Sequence, residues 1–291
     1  MNGSLEKLHT VLLDMLKTVM DFCDDHGIVC FLDSGTLLGA VRHAGFIPWD
    51  DDADICMDAE NYRKFLGCAH ELPEELFVQN YRTDPMMNVI WTKVRRGSTT
   101  VLPLHAPMIR EDYGACLDVF VMNGYAQNAL GRFLQRKADY RLRALMNKDA
   151  LRMSGEVLPE QIEALQSLPY EQRRASALRT ERILLRNLQD SGECYNIFYR
   201  PGHEEQILMP SALYDPQKRI RLPFEDTEFW CPQDPEQVLE LYYGDWRTPL
   251  PEDQRAVHGE LFIDTEHGID YWFRREGMSM AEILQQDSVV E

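Results

Sequence analysis

The sequence has no run of eighteen apolar residues, no Cys-x-x-Cys pair, no internal repeat and no low-complexity segment. The first absence excludes a helix of membrane-spanning length. The second leaves seven cysteines (23, 30, 56, 68, 116, 194 and 231), an odd set that reads as reduced thiols rather than a zinc site or disulfide frame. Positive charge is also scarce: 30 Lys and Arg stand against 48 Asp and Glu, and the net of −18 opposes general binding to nucleic acid. The opening Met1-Asn-Gly-Ser-Leu-Glu-Lys7 has neither a basic n-region nor an apolar h-region. No signal peptide is therefore expected, and the cytoplasm is the expected compartment.

The most informative stretch that is present runs from Phe31 to Met57. It reads as a strand ending in Ser34-Gly35, a short helix from Thr36, a turn, and a second strand carrying Asp52-Ala53-Asp54. Residues two apart on a strand share a face, so Asp52 and Asp54 project together. Two adjacent carboxylates repel unless a cation sits between them, and hard oxygen ligands suit Mg²⁺ or Mn²⁺. Gly35 lets a phosphate approach the backbone at a helix N-terminus, where free N–H groups favour anions. A metal beside an anion cradle is the apparatus of phosphoryl transfer. A solvated acidic loop is the alternative, and the order of glycine, helix, acidic pair and apolar strand weighs against it.

The rest of the chain reads as a mixed α/β (α+β) protein, a mixed β-sheet flanked by helices. Leu5, Leu8, Leu12, Leu16, Val19 and Cys23 predict an amphipathic helix over 4–26, capped by Ser4 and closed by Gly27. Strands are expected at 28–33, 53–57, 76–81, 89–95 and 117–122, with a helix over 61–72. Residues 127–150, 159–167 and 170–189 read as Arg-rich helices with packing of their own. Further on, 219–223 and 228–231 suit a hairpin around Glu225-Asp226. Asp234-Pro235 opens a helix, with the Asp as cap and Pro at its first position. The expected division is a catalytic core over 1–125, a helical insertion over 126–192 and a C-terminal part, 193–291, that completes the site.

Several blocks resemble the LicD family, which includes the fukutin-related proteins and has a nucleotidyltransferase-like fold. They are Gly35-Thr-Leu-Leu-Gly-Ala-Val-Arg-His43 with Gly45-Phe-Ile-Pro-Trp-Asp-Asp-Asp-Ala-Asp54, Lys93-Val-Arg95 with Ser98-Thr-Thr100, and Leu117-Asp-Val-Phe-Val-Met-Asn-Gly124. A fourth is Tyr243-Gly-Asp-Trp-Arg-Thr-Pro-Leu-Pro251. Val121, Asn123 and Trp246 depart from the family's usual Pro, Asp and Tyr. The resemblance implies a metal-dependent transferase that moves a phospho-alcohol group, such as phosphocholine, from a CDP-activated donor such as CDP-choline. The acceptor would be a hydroxyl of a cell-surface glycan or its precursor, such as lipopolysaccharide or teichoic acid, and CMP would leave. Transfer of a nucleotidyl group, or an inactive module that binds nucleotide or glycan, are the alternatives.

On this reading Asp52 and Asp54 are the first metal ligands, and Asp118 is the third carboxylate that the fold implies. An acid among the apolar residues of a strand needs a metal or a basic partner. An ion pair to Lys93 or Arg95 is therefore the alternative for Asp118, and a role as general base is another. Asp50 and Asp51 are outer partners or a turn, at most one of them touching metal. Ser34, Gly35 and Thr36 form the phosphate cradle. Arg42 either reaches a phosphate or pairs with the acidic run at 50–54, and His43 is structural. Lys93 either neutralises the leaving nucleotide or extends to solvent. Thr99 and Thr100 are ligand contacts or ordinary turn residues.

Trp49, Trp91, Trp230, Tyr242, Tyr243 and Trp246 are the aromatic candidates for the substrate pocket, since a quaternary ammonium is held over aromatic faces. Most are expected in the core, with Trp49, Tyr243 and Trp246 the better placed. Charge is uneven as well: residues 132–186 hold twelve Lys/Arg against seven Asp/Glu. Arg136, Arg141, Arg143, Arg173, Arg174, Arg179, Arg182 and Arg186 are expected to give weak, peripheral contact with the inner face of the cell membrane or a lipid-linked acceptor, and a pair of well-solvated helices of mixed charge or an oligomer contact is the alternative.

Overall fold

The computed structural model describes residues 3–85, 87, 89–103, 113–146, 159–198, 207–251, 255 and 261–275. Helix α1 (Gly3–Asp25) buries Leu8, Leu12, Leu16, Val19 and Cys23 along one stripe. It closes as the sequence predicts: Gly27 takes φ 62, Gly27 N–H donates to Asp24 O, and Ile28 N–H donates to Cys23 O. Ser4 lies inside the helix instead of capping it.

The main sheet is built from β1 (Phe31–Leu32), β2 (Ala53–Asp58), β3 (Leu76–Gln79), β4 (Thr92–Arg96) and β6 (Ala115–Gly124), in the order β1-β2-β6-β4-β3. Strands β2 and β6 run parallel and their other neighbours are antiparallel. The sheet is thus mixed, as expected. Apolar residues fill β2 and β6, where Ile55, Cys56, Met57, Leu117, Val119 and Met122 are all buried. Such runs suit strands covered on both faces. Strand β1 is shorter than the predicted 28–33, because only Phe31 and Leu32 find partners, in Cys56 and Ile55. Helix α2 (Ser34–His43) starts two residues before the expected Thr36. Helix α3 (Ala59–Cys68) is capped by Asp58, whose carboxylate accepts from Asn61 N–H.

Beyond these, β7 (Glu193–Asn196) pairs with the end of β6 and carries β8 (Met209–Pro210) on its other side. A separate ribbon joins β5 (Thr100–Pro103) to β11 (Leu261–Asp264). The expected hairpin is present as β9 (Ile220–Phe224) and β10 (Thr227–Cys231), with Glu225 at φ 54 in its two-residue turn. The three predicted helices are α4 (Ala129–Met146), α5 (Pro159–Gln166) and α6 (Tyr170–Leu184), of which α4 and α6 are rich in arginine and α5 has none. The stretch 147–150 of the first prediction lies outside the described residues. Leu142, Leu145, Ala177 and Leu184 from these helices share the main hydrophobic core, so their packing is not separate from the sheet. Asn123 ties them down: its side-chain amide donates to Leu184 O and Tyr195 Oη, and it accepts from Arg186 N–H. Helix α7 (Pro235–Tyr243) has the predicted Asp234 cap on Gln237 N–H, and α8 (Ile269–Arg275) follows β11. Among the described residues no helix is long and apolar enough to cross a membrane.

Candidate active site

Parallel pairing sets Asp54 of β2 against Asp118 of β6, and antiparallel pairing sets Lys93 of β4 against Asp118 from the other side. Three charged residues therefore lie in one row across three strands. Asp52 precedes β2 by one residue and still reaches the same cavity as Asp54. Helix α2 delivers its first turn, Ser34-Gly35, to this cavity, which has a volume of about 580 Å³. Thr36 does not line it. Its buried hydroxyl accepts from Asp54 N–H at 2.8 Å and fastens α2 to β2. The cradle facing the cavity is thus Ser34 and Gly35, and Thr36 supports it from behind.

Asp118 Oδ1 accepts from Lys93 Nζ at 2.6 Å, and Oδ2 accepts from Trp91 Nε1 at 2.9 Å. The ion-pair alternative for Asp118 is therefore realised with Lys93. Arg95 instead donates to Gln79 Oε1 and Gly114 O. Burial pulls the Lys93 ammonium down, but the carboxylate of Asp118 and the thiol of Cys116 outweigh it, and the lysine stays firmly protonated. Asp54 stands the other way. Burial, followed by the fields of Asp52, Asp118, Asp50 and Asp33, pushes its carboxyl well above the usual range. A carboxyl raised by its acidic neighbours is one that a bound cation would relieve.

The residues present fit such a cation. Asp50, Asp52, Asp54 and Asp118 all line the cavity with hard oxygen donors. A Cβ built on Gly35 would lie 2.9 Å from Asp50 Oδ2, so any larger residue there would push the Asp50 carboxylate aside, while Asp54 Oδ2 at 3.8 Å would be left in ordinary contact. Among the described residues Asp50, Asp51 and Asp52 form a group whose ligand atoms lie within 4.8 Å of one another. Asp54 and Asp118, expected as ligands, lie outside that group, and of its three members Asp50 and Asp52 line the cavity while Asp51 does not.

Arg42 also lines the cavity, with Nη1 donating to Trp246 O at 3.0 Å and Nε buried without a hydrogen-bond partner. Trp49, Tyr243 and Trp246 line it as expected. Two of these rings already carry a cation: Arg255 lies 4.4 Å from the centroid of Trp49, and Arg247 lies 4.2 Å from that of Trp246. Trp91, Phe120 and Phe198 form a second aromatic wall, with centroids 5.2–5.8 Å apart. Trp230 lies elsewhere, between Arg219 and Arg221, and Tyr242 donates to buried Asp33. Thr99 bonds Arg96 O and Ala115 N–H, and Thr100 bonds His267 O, so both hydroxyls serve the fold.

Sequence reasoning missed Asp33, Phe120 and Phe198. Phe120 was within reach, since it stands two residues from Asp118 on one strand. Asp33 adjoins Ser34 and is wholly buried, which raises its carboxyl to about 6 against the pull of hydrogen bonds from Ser34, Tyr242 and Asn196. Asn196 Nδ2 reaches Asp33 Oδ2 at 2.5 Å, and Asn196 Oδ1 accepts from Phe198 N–H at 2.8 Å. Arg143 donates to Ile197 O and Phe198 O from the other side. This arginine, expected on a basic surface, is instead buried against Asp139 and holds the Phe198 loop at the cavity.

The LicD/FKTN/FKRP nucleotidyltransferase domain family matches residues 27–124, the stretch that supplies the carboxylates, the α2 cradle and Lys93. The lipopolysaccharide cholinephosphotransferase LicD of Haemophilus influenzae is 41% identical over 63 residues, 22% of this chain and 24% of that protein. An uncharacterized protein of Rickettsia typhi is 46% identical over 50 residues, 17% of this chain and 16% of its own. Another, from Rickettsia prowazekii, is 48% identical over 44 residues, 15% and 16% respectively. The chain thus matches less than a quarter of the length of each of these relatives.

Proposed function

We propose, from the premise that residues 27–124 make this chain a member of the LicD family, that it transfers a phospho-alcohol group from a CDP-activated donor to a glycan hydroxyl. Phosphocholine is the favoured group, in keeping with the name of the Haemophilus relative, and lipopolysaccharide is an acceptor of the same class. The observation that supports this best is the gathering of Asp50, Asp52, Asp54 and Asp118 at one cavity with the first turn of α2.

In this reading Asp52 and Asp54, with Asp50 beside them and Asp118 behind, hold Mg²⁺ or Mn²⁺. Bound there, the metal supplies positive charge to the phosphoryl oxygens. Ser34 and the backbone at Gly35 receive the donor's phosphates, and the fork of Arg42 orients them. The acceptor oxygen attacks the phosphorus that bears the alcohol, the bond to the bridging oxygen breaks, and CMP leaves with that oxygen. Lys93 balances negative charge at this end of the cavity while fixing the carboxylate of Asp118. The proton of the acceptor hydroxyl goes to a cavity carboxylate, which is Asp118 where the metal rests on Asp50, Asp52 and Asp54 alone. The headgroup lies against Phe120 and Phe198, since cations already stand over Trp49, Trp246 and Trp91.

The test is to incubate the protein with Mg²⁺, a panel of CDP-choline, CDP-ribitol and CDP-glycerol, and candidate glycans. CMP release that requires acceptor supports the proposal. Release of phosphocholine from CDP-choline would mean nucleotidyl transfer instead, and no turnover of any donor would favour a binding module.

A further inference from the structure

A second surface, outside the cavity lining, combines features rarely left together on a soluble face. Leu130, Phe133 and Leu134 on α4 are 69%, 47% and 47% exposed, and Ile183 on α6 is 53% exposed. Positions 130, 133 and 134 share one side of their helix. Leu134 and Ile183 line a shallow depression together with Arg63, Arg182 and Arg186, and Asp190 is the acid among the described residues there. Lys137 Nζ lies 5.7 Å from the centroid of Phe133. A Cβ on Gly131 would lie 3.5 Å from Arg186 Nη1, which sets this arginine beside the apolar ridge. A basic, apolar face on a chain of net charge −18 is a local reversal of sign.

We infer that this face docks the protein on an anionic lipid bilayer. Large apolar side chains gain by entering the boundary between headgroups and acyl chains, while flanking Arg and Lys reach lipid phosphates. The rest of the acidic chain is repelled by the same surface, so docking is oriented. A polyanion without an apolar layer would satisfy the arginines and leave Leu130, Phe133, Leu134 and Ile183 in water. A second copy meeting this face by two-fold symmetry would set Arg63, Arg182 and Arg186 against their own kind. Of the arginines that the sequence assigns to a membrane surface, Arg143 is buried, Arg141 bonds Ser176, and Arg174 pairs with Glu171. Arg182 and Arg186 line the depression together with Leu134 and Ile183.

Co-sedimentation with vesicles of phosphatidylglycerol and phosphatidylethanolamine, against vesicles of phosphatidylcholine, tests this. Binding to the anionic vesicles at low salt and release at high salt are expected. The Arg182→Gln, Arg186→Gln double variant should bind roughly thirty-fold more weakly, two headgroup contacts being lost. The Phe133→Ser, Leu134→Ser variant should also lose binding, with an unchanged circular dichroism melt in each case. Phe133→Trp should show a blue-shifted emission when the anionic vesicles are added. Equal binding to both vesicle types, no binding at low salt, or a dimer in light scattering that Phe133→Ser, Leu134→Ser dissolves would each overturn the inference.

Discussion

Asp54 and Asp118 are register partners on neighbouring parallel strands, so two carboxylates from distant parts of the sequence meet at one level of the sheet. Lys93, paired with Asp118 from the opposite strand, balances one of them. The other remains pushed up by burial and by Asp52, Asp118 and Asp50. The site is thus held together by the sheet against its own electrostatic repulsion, and the following predictions probe that tension.

Gly35→Ala should separate folding from metal binding. Gly35 sits in α2 without a positive φ, and Ala is the better helix former by about 1 kcal/mol. The melting temperature of the metal-free protein should therefore hold or rise. The added Cβ, however, meets Asp50 Oδ2 at 2.9 Å and must displace it. Calorimetry should show Mg²⁺ affinity lowered by about ten-fold, on the scale of disturbing one partner of a metal site. Unchanged affinity would remove Asp50 and Gly35 from the site.

Asp118→Asn should destabilise the protein by about 3 kcal/mol, because it leaves the Lys93 ammonium buried without its counter-charge. Adding Lys93→Met should restore much of that loss, giving a positive coupling in a double-mutant cycle. Because Lys93 also faces the cavity, the reference is the Lys93→Met single variant, and if Asp118 serves the reaction too the double variant falls well below it. Activity equal to that reference would confine Asp118 to the ion pair.

Asp33 predicts a pH dependence. Its carboxyl, raised from 3.8 to about 6, binds a proton more tightly in the native than in the unfolded state. Its contribution to stability is therefore full below the unfolded value and is lost as pH rises through about 6. The excursion is about 3 kcal/mol at 1.36 kcal/mol per unit. Asp33→Asn cannot ionise, so wild-type stability minus variant stability should fall by that order across this window in denaturant titrations. A difference that stays flat would contradict it.

Phe198→Leu should weaken use of a choline donor selectively. Loss of one aromatic face from a quaternary ammonium is worth about 1 kcal/mol, so kcat/KM for CDP-choline should drop about five-fold or more. The value for CDP-glycerol, which carries no cation, should change little. An equal drop for both donors would assign Phe198 to the shape of the cavity rather than to the headgroup.

Where the sequence was informative, the signal was local. The alternation of Asp52 and Asp54, the lone acid in Leu117-Asp-Val-Phe120, the Gly27 closure and the Asp234-Pro235 cap each sit within a few residues of what they determine. The ribbon of β5 and β11 escaped notice because its two four-residue strands, Thr100–Pro103 and Leu261–Asp264, lie far apart in sequence and bury Leu102 and Phe262 only against each other's neighbourhood. Phe198 follows a four-residue strand and has no periodic neighbour, and its place depends on Asn196, Arg143 and, through Asn196, on Asp33. Arg143 was misplaced because a charged helical residue reads as exposed. The clue was Asp139, four residues before it, which pairs with it inside the protein.

The most direct measurement is CMP release from CDP-choline in the presence of Mg²⁺ and a glycan acceptor, comparing wild type with Asp54→Asn. The wild type should release CMP only when both metal and acceptor are present, with chelation by EDTA abolishing it. Asp54→Asn should release CMP at least about a hundred-fold more slowly, in line with losing one stabilising group of a transition state. Its metal-free melting temperature should be unchanged or higher, since the amide removes a carboxyl that burial and its acidic neighbours already disfavour. Full activity in Asp54→Asn, or CMP release that survives EDTA, would contradict the assignment of this cavity as a metal-dependent transferase centre.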